Sequence, residues 1–287
     1  MGRTLLSSCL KPPQRKVNKN LKEAKLLCSF SHKNIVRFLE CGIDVELKQE
    51  HMNKNVSFIA TELAEKGSLF DYIKASQGLN ERLARTLSVQ IVEAIEFLHS
   101  KGISHRDIKP ENIFLTQKFE CKVGDFGFAT QNITDDTYCG SSCYMAPEIY
   151  KKKRYNCQAT DIFSLGVFFF FMVTGKYPFA CADVTDSKFK AILTGKTSLF
   201  WRTALGSKKR LSQLSPEFIE LVTLCLSPDP VHRPTISEIY THAWFKTAAE
   251  EYSSSDNGTV YSDEISSELL NIESEIDDIS DTFISFH

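Results

Sequence analysis

The chain has 287 residues, 42% of them hydrophobic and 24% charged, which suits a soluble globular protein able to bury one large core or two lobes around a cleft. Its longest apolar run, Val167 to Val173, is far shorter than the ~20 residues of a bilayer span, and no basic segment followed by an apolar one opens the sequence. The net charge of −2 hides an acidic end: Ala248 to His287 holds eleven acidic residues and no Lys or Arg, leaving all 34 basic residues against 25 acidic ones in 1–247.

Residues 1–20 are basic, broken by Pro12 and Pro13, and without a clear period, so an irregular segment is expected there. Met1-Gly2 resembles a myristoylation start, but Leu6 stands where Ser or Thr is required. From Leu21, "LKEAKLLCSF" has apolar residues spaced for one helix face. "VRFLECGIDV" and "VSFIATEL" read as strands of an antiparallel pair, separated by the polar "ELKQEHMNKN". Residues 81–100 form a strong amphipathic helix that stops at Lys101-Gly102, and short strands follow at "NIFLT" and "CKVGDF". "TDIFSLGVFFFFMVTG" is apolar all round, the mark of a buried central helix, and helices continue to Phe245. Strands first and helices after indicate an α+β bilobal fold with a helical main lobe.

Residues 246–287 form an acidic tail, in which "EEYSSSDNG" reads as a linker. Ile265, Leu269, Ile272, Ile276, Ile279, Phe283 and Phe286 then recur at helical spacing, with Ser262 as N-cap and Asp263 and Glu264 in the first turn. The tail is read either as a disordered acidic segment or as a docking helix. The nine cysteines form no CxxC pair and are read as reduced thiols, with only Cys139 and Cys143 near a metal or redox spacing.

The chemistry concentrates in "HRDIKPEN" and "GDFG". A hairpin between them sets Asn112 beside Asp125, and an amide oxygen with a carboxylate is the hard oxygen set that Mg²⁺ prefers. Lys109 can neutralise a phosphate and Asp107 can accept a hydroxyl proton, which together serve phosphoryl transfer. The basic body carries no Arg/Lys stripe interleaved with aromatics, so an anionic small molecule or acidic partner explains it without nucleic acid.

With these residues in view, Leu21 to Phe245 resembles the eukaryotic protein kinases. "HRDIKPEN" matches their catalytic loop, with Asp107 as base and Asn112 as metal ligand, and "DFG" matches the metal-binding turn at Asp125. "APE" supplies Glu148, whose ion-pair partner would be Arg233 of "HRPT". "DIFSLGV" resembles the central helix motif, with Phe163 for Trp and Asp161 bracing the catalytic loop. Lys109 and Ser141 imply the Ser/Thr type, closest in pattern to the calmodulin-dependent and AMP-activated kinase group. Ser142 replaces a common Pro, while Ser68 and Phe171 stand where many Arg-directed kinases carry Glu. Arg106 before the catalytic Asp implies control by activation-loop phosphorylation, with Thr137 as the acceptor and Thr134 as runner-up. Thr61 would be the gatekeeper, Glu62 and Ala64 would offer hinge groups to adenine, Phe114 its floor, and Glu23 the helix Glu. The resemblance thus implies ATP, Mg²⁺, a protein substrate with Ser or Thr, no membrane, and a place in the cytoplasm or nucleus.

Two parts of that pattern are missing. No GxGxxG occurs anywhere, and no "VAxK" precedes Glu23, where Arg3 is the nearest basic residue at a suitable distance. Losing one preorganised charge contact costs ~3 kcal/mol, about a hundredfold in rate, so this chain is expected to be weakly active. Three readings follow: a kinase whose first strands are absent from this chain, a pseudokinase serving as a scaffold, or a kinase whose lid comes from a partner or the tail. The helix Glu segment and "VRFLECGIDV" would keep apolar surface that a partner or the 265–286 helix covers.

Overall fold

The computed structural model describes residues 14–49, 52–246 and 264–276. Its small lobe is one helix on one hairpin. Helix α1 (Gln14–Leu27) starts seven residues before the expected Leu21, inside the segment read as irregular. Gln, Arg and Lys are good helix formers, so this polar run can extend a helix that is anchored further along by the buried Ala24 and Leu27. Strands β1 (Phe38–Gln49) and β2 (Met52–Thr61) pair antiparallel from Phe38↔Thr61 out to Gln49↔Met52. The polar stretch expected to separate them is therefore mostly paired strand. Backbone hydrogen bonds hold a hairpin arm together even where no core lies beneath it. Leu39, Ile43 and Val45 of β1 are exposed, because no third strand joins this sheet among the described residues.

After Thr61 the chain crosses into the large lobe. Helix α2 (Leu69–Ser76) leads to α3 (Glu81–Ser100), which has the bounds its periodicity predicts. Asn80 caps α3 by accepting from the Leu83 amide, and Leu83, Leu87, Ile91, Ile95 and Leu98 form its buried stripe. Strands β3 (Ile113–Leu115) and β4 (Cys121–Val123) pair as expected. The next segment runs through β5 (Thr134–Asp135), α4 (Pro147–Tyr150) and β6 (Tyr155–Asn156) into α5 (Cys157–Thr174). Helix α5 has the length and composition to span a bilayer, but the fold buries it in protein, with each of Phe168 to Phe171 at 2% exposure or less. Helices α6 (Ser187–Leu193), α7 (Thr197–Leu205), α8 (Lys208–Leu211), α9 (Pro216–Cys225) and α10 (Ile236–Tyr240) surround it.

A last helix, α11, spans 264–276 and buries Ile265, Leu269 and Ile272, with Ile276 packed beside them. The sequence reading let either a partner or the 265–286 helix cover the small lobe; the described part of that helix, 264–276, finds its polar partners elsewhere. Lys66 donates to both oxygens of Glu273 at 2.8 and 2.7 Å, Asn80 donates to Glu268, and Arg82 pairs with Glu264. All three partners lie on the large lobe, at the exit from the hinge and the start of α3. Burial of its apolar stripe holds the helix there, and Lys66 and Arg82 match its acidic face. The expected cap Ser262, Asp263, and Ile279, Phe283 and Phe286 lie outside the described residues.

Candidate active site

The loop from Ile103 to Asn112 is organised around a carboxylate that never meets solvent. Asp161, on the first turns of α5 and fully buried, accepts from the His105 amide at 2.8 Å, the Arg106 amide at 2.7 Å and His99 Nε2 at 2.9 Å. Hydrogen bonds to a buried charge are the strong kind, and here they hold Arg106 at φ 65°, a conformation costing ~1–3 kcal/mol. His105 donates from Nε2 to the Gly124 carbonyl at 2.9 Å and accepts the Asp107 amide on Nδ1 at 3.2 Å, which fixes its tautomer.

Asp107 is thereby presented at the centre of a small polar cluster. Lys109 Nζ donates to Asp107 Oδ2 and to Ser141 Oγ, each at 2.8 Å. Ser141 donates to Asp107 Oδ1 from both its amide and its hydroxyl, each at 3.0 Å. Asn112 Nδ2 donates to the Asp107 carbonyl at 2.8 Å and to Oδ2 at 3.1 Å. Burial alone would push the Asp107 carboxyl up, but the Lys109 ammonium and the Ser141 hydroxyl hold it below its ordinary value. It is an anion at neutral pH.

The hairpin β3–β4 brings Asp125 alongside. Its register Ile113↔Val123 ends with the Gly124 amide donating to the Asn112 carbonyl at 2.9 Å, so the next residue, Asp125, emerges next to Asn112. A Cβ at Gly124 would come within 2.8 Å of the Phe114 ring, so a larger residue there would have to displace that ring. Asp125 is exposed at φ 54°, while the following Phe126 is buried against His105, with ring centroids 5.0 Å apart. Asn112 Oδ1 and Asp125 Oδ2 accept no hydrogen bond from the described residues. Two hard oxygens so left fit a divalent cation such as Mg²⁺.

Above this cluster lie the residues read as the nucleotide edge. Thr61, Glu62, Ala64 and Phe114 are half-buried where β2 passes into the large lobe. The Glu62 amide donates to the Arg37 carbonyl, its side chain accepts the Arg37 amide at 2.9 Å, and Lys122 pairs with it at 3.0 Å. The Ala64 amide bonds to none of the described residues. Glu23 is half-buried on α1.

On the other side, the segment from Asp125 to Glu148 is tied down at both ends. Arg233 grips Glu148 with two parallel bonds of 2.6 and 2.8 Å. Near the front, Arg106 is not the open cation the sequence suggested. Its Nη1 donates to Asp135 Oδ2 at 2.7 Å and its Nε to the Phe128 carbonyl at 2.8 Å. Asp135 belongs to no motif and was missed. The signal available was an acidic pair, Asp135-Asp136, just before Thr137. Thr137 is exposed and donates its hydroxyl to Asp135 Oδ1 at 2.7 Å, while Thr134 sits in β5, paired with Asn156.

A base-like carboxylate beside an ammonium, with two oxygens nearby that fit a cation, is a phosphoryl-transfer arrangement. The family description that matches the sequence, over residues 8–245, is the protein kinase domain. The chain belongs to the protein kinase family. CBL-interacting protein kinase 29 of Oryza sativa subsp. japonica is 34% identical over 233 residues, covering 80% of this chain and 48% of that protein. Sperm motility kinase 2B of Mus musculus is 33% identical over 230 residues, 79% of this chain and 43% of that protein. The SNF-related serine/threonine-protein kinase of Rattus norvegicus is 35% identical over 231 residues, 78% of this chain and 28% of that protein. The kinase chain therefore spans less than half the length of these relatives. It is an enzyme by family, of Ser/Thr type, with the pattern of the AMP-activated group.

Proposed function

We propose that this kinase domain transfers the γ-phosphoryl group of ATP to Ser or Thr hydroxyls of protein substrates, slowly as the chain stands. One observation carries the reading: the Asp107 carboxylate accepts hydrogen bonds from Asn112, from Ser141 and from the Lys109 ammonium, which together aim it. In that role Asp107 takes the proton of the attacking hydroxyl, Lys109 balances charge on the transferred group, and Ser141 holds the two in register. Asn112 and Asp125 would hold Mg²⁺, which when bound neutralises phosphate charge. Thr61, the Glu62 and Ala64 backbone and Phe114 would receive the adenine. The pattern favours a soluble setting in the cytoplasm or nucleus, away from membranes and nucleic acid.

The slow rate follows from the missing Gly-rich sequence and "VAxK" lysine, each worth about a hundredfold. The exposed Leu39, Ile43 and Val45 of β1 favour a second reading, a scaffold that binds a partner through its small lobe. Phosphosite mapping after incubation with Mg-ATP and a mixture of Ser, Thr and Tyr peptides separates the two. Slow transfer confined to Ser and Thr is expected; no transfer, with no thermal shift on adding Mg-ATP, would favour the scaffold.

A further inference from the structure

The anion that Arg106 meets in the activation segment is one the chain itself encodes. Asp135 gives one oxygen to Arg106 at 2.7 Å, and its other oxygen accepts the Asp136 amide at 2.7 Å, the Thr137 amide at 3.0 Å and the Thr137 hydroxyl at 2.7 Å. The Arg106 and Asp135 side chains are only 6% and 13% exposed, so water competes weakly for either. Burial would raise the Asp135 carboxyl, but the Thr137 hydroxyl and amide, the Asp136 amide and Arg106 outweigh it and hold the group well below the usual carboxylate range.

The anchor continues toward Asp107. Tyr155, within 3.4 Å of Arg106, donates its hydroxyl to the Thr137 carbonyl at 2.6 Å. Backbone pairing of Asp135 with Tyr155 fixes the same strand from below. Gly140, at φ 100°, then passes so close to the Arg106 carbonyl that a Cβ would lie 2.9 Å from it. The next residue is Ser141, with its two bonds to Asp107. The position of Ser141 on Asp107 is thus set by a run of six residues whose far end is the Asp135–Arg106 pair.

We infer that Asp135 is a positioning residue: its carboxylate, and not a phosphate on Thr137, holds the activation segment against Arg106 and keeps Ser141 on Asp107. That it serves catalysis rests on the kinase reading above; that it holds the segment does not. A phosphate on Thr137 works against this arrangement. It would remove the hydroxyl that Asp135 accepts and place a charge of about −1.5 to −2 beside a carboxylate already paired.

The test is chymotryptic cleavage after the exposed Tyr138, followed under native conditions on the full chain before and after phosphatase treatment. Parent protein should be cleaved at one rate with or without phosphatase. Asp135→Ala should be cleaved about ten- to a hundredfold faster, as expected for losing hydrogen bonds to a charged group, and Asp135→Glu should stay near the parent. Added sulfate should slow cleavage of Asp135→Ala toward the parent rate without changing the parent, because it reoccupies the freed Arg106. A merely structural defect would not respond to an anion. Faster cleavage of the parent after phosphatase overturns the inference, as does an Asp135→Ala chain that matches the parent or ignores sulfate. If Asp135→Ala does not fold, the phosphatase comparison and the rate of Asp135→Glu decide. None of these readouts needs nucleotide, so a chain that transfers no phosphate would sink the proposed activity and leave this result standing.

Discussion

Glu148→Gln is the substitution whose cost the geometry fixes most tightly. The Arg233 side chain is 1% exposed, and Glu148 is its only carboxylate partner among the described residues. The guanidinium also donates to the carbonyls of Ser227 and Ala159, each at 2.9 Å, and stands 4.9 Å over the Phe163 ring. These contacts satisfy N–H groups but do not cancel the charge. Glutamine keeps the volume, yet it offers one acceptor where two are used and turns an NH₂ toward another donor. An uncompensated buried cation costs ~3–5 kcal/mol. At about 3 kcal/mol per molar urea, the unfolding midpoint should fall by roughly 1 to 1.7 M with little change in slope. Replacing the pair together, Glu148→Leu with Arg233→Met, should recover much of that loss, since apolar pairs of similar volume often substitute for buried ion pairs. Urea titration followed by tryptophan fluorescence measures both. A Glu148→Gln midpoint within about 0.2 M of the parent would show that the pair is solvated and refute the reasoning.

Two further outcomes follow from the same structure. Leu269→Ala empties a fully buried site on α11, a loss of ~2–5 kcal/mol where the surroundings cannot collapse; amide exchange of 264–276 should speed by at least about thirtyfold while α5 is unchanged, and equal loss in both would mean that α11 is part of the main cooperative unit. Asp107 is held below the ordinary carboxylate value, so its contribution to stability is complete above about pH 4 and is lost as pH falls through the lowered folded value. Urea midpoints should therefore show an acid-side decline that Asp107→Asn reduces, and an unchanged decline would remove Asp107 as its source.

The large lobe is legible in the sequence because its signals are strong and local. A single period runs through Leu83 to Leu98, a cap stands at Asn80, and α5 is apolar on every side. The motif residues Asp107, Lys109, Asn112 and Ser141 share one set of hydrogen bonds, and a hairpin of three-residue strands brings Asp125 out next to Asn112, because the hairpin and one buried aspartate leave the loops little freedom. What the sequence hid depends on pairings between distant parts. The start of α1 rests on polar residues without a stripe, and α11 docks where Lys66 and Arg82, far from it in the chain, meet its acidic face. Asp135 escaped for the same reason: an acidic residue in a loop looks solvated until the fold places it 2.7 Å from Arg106.

The central claim is that Asp107 serves phosphoryl transfer in this chain. Its most direct test is the initial rate of phosphate transfer from Mg-ATP to a Ser/Thr peptide by the parent and by Asp107→Ala, purified identically and matched for folding by thermal melt. Slow but measurable transfer by the parent, falling at least about a hundredfold in Asp107→Ala, is the expected result. Equal rates in the two proteins would contradict it.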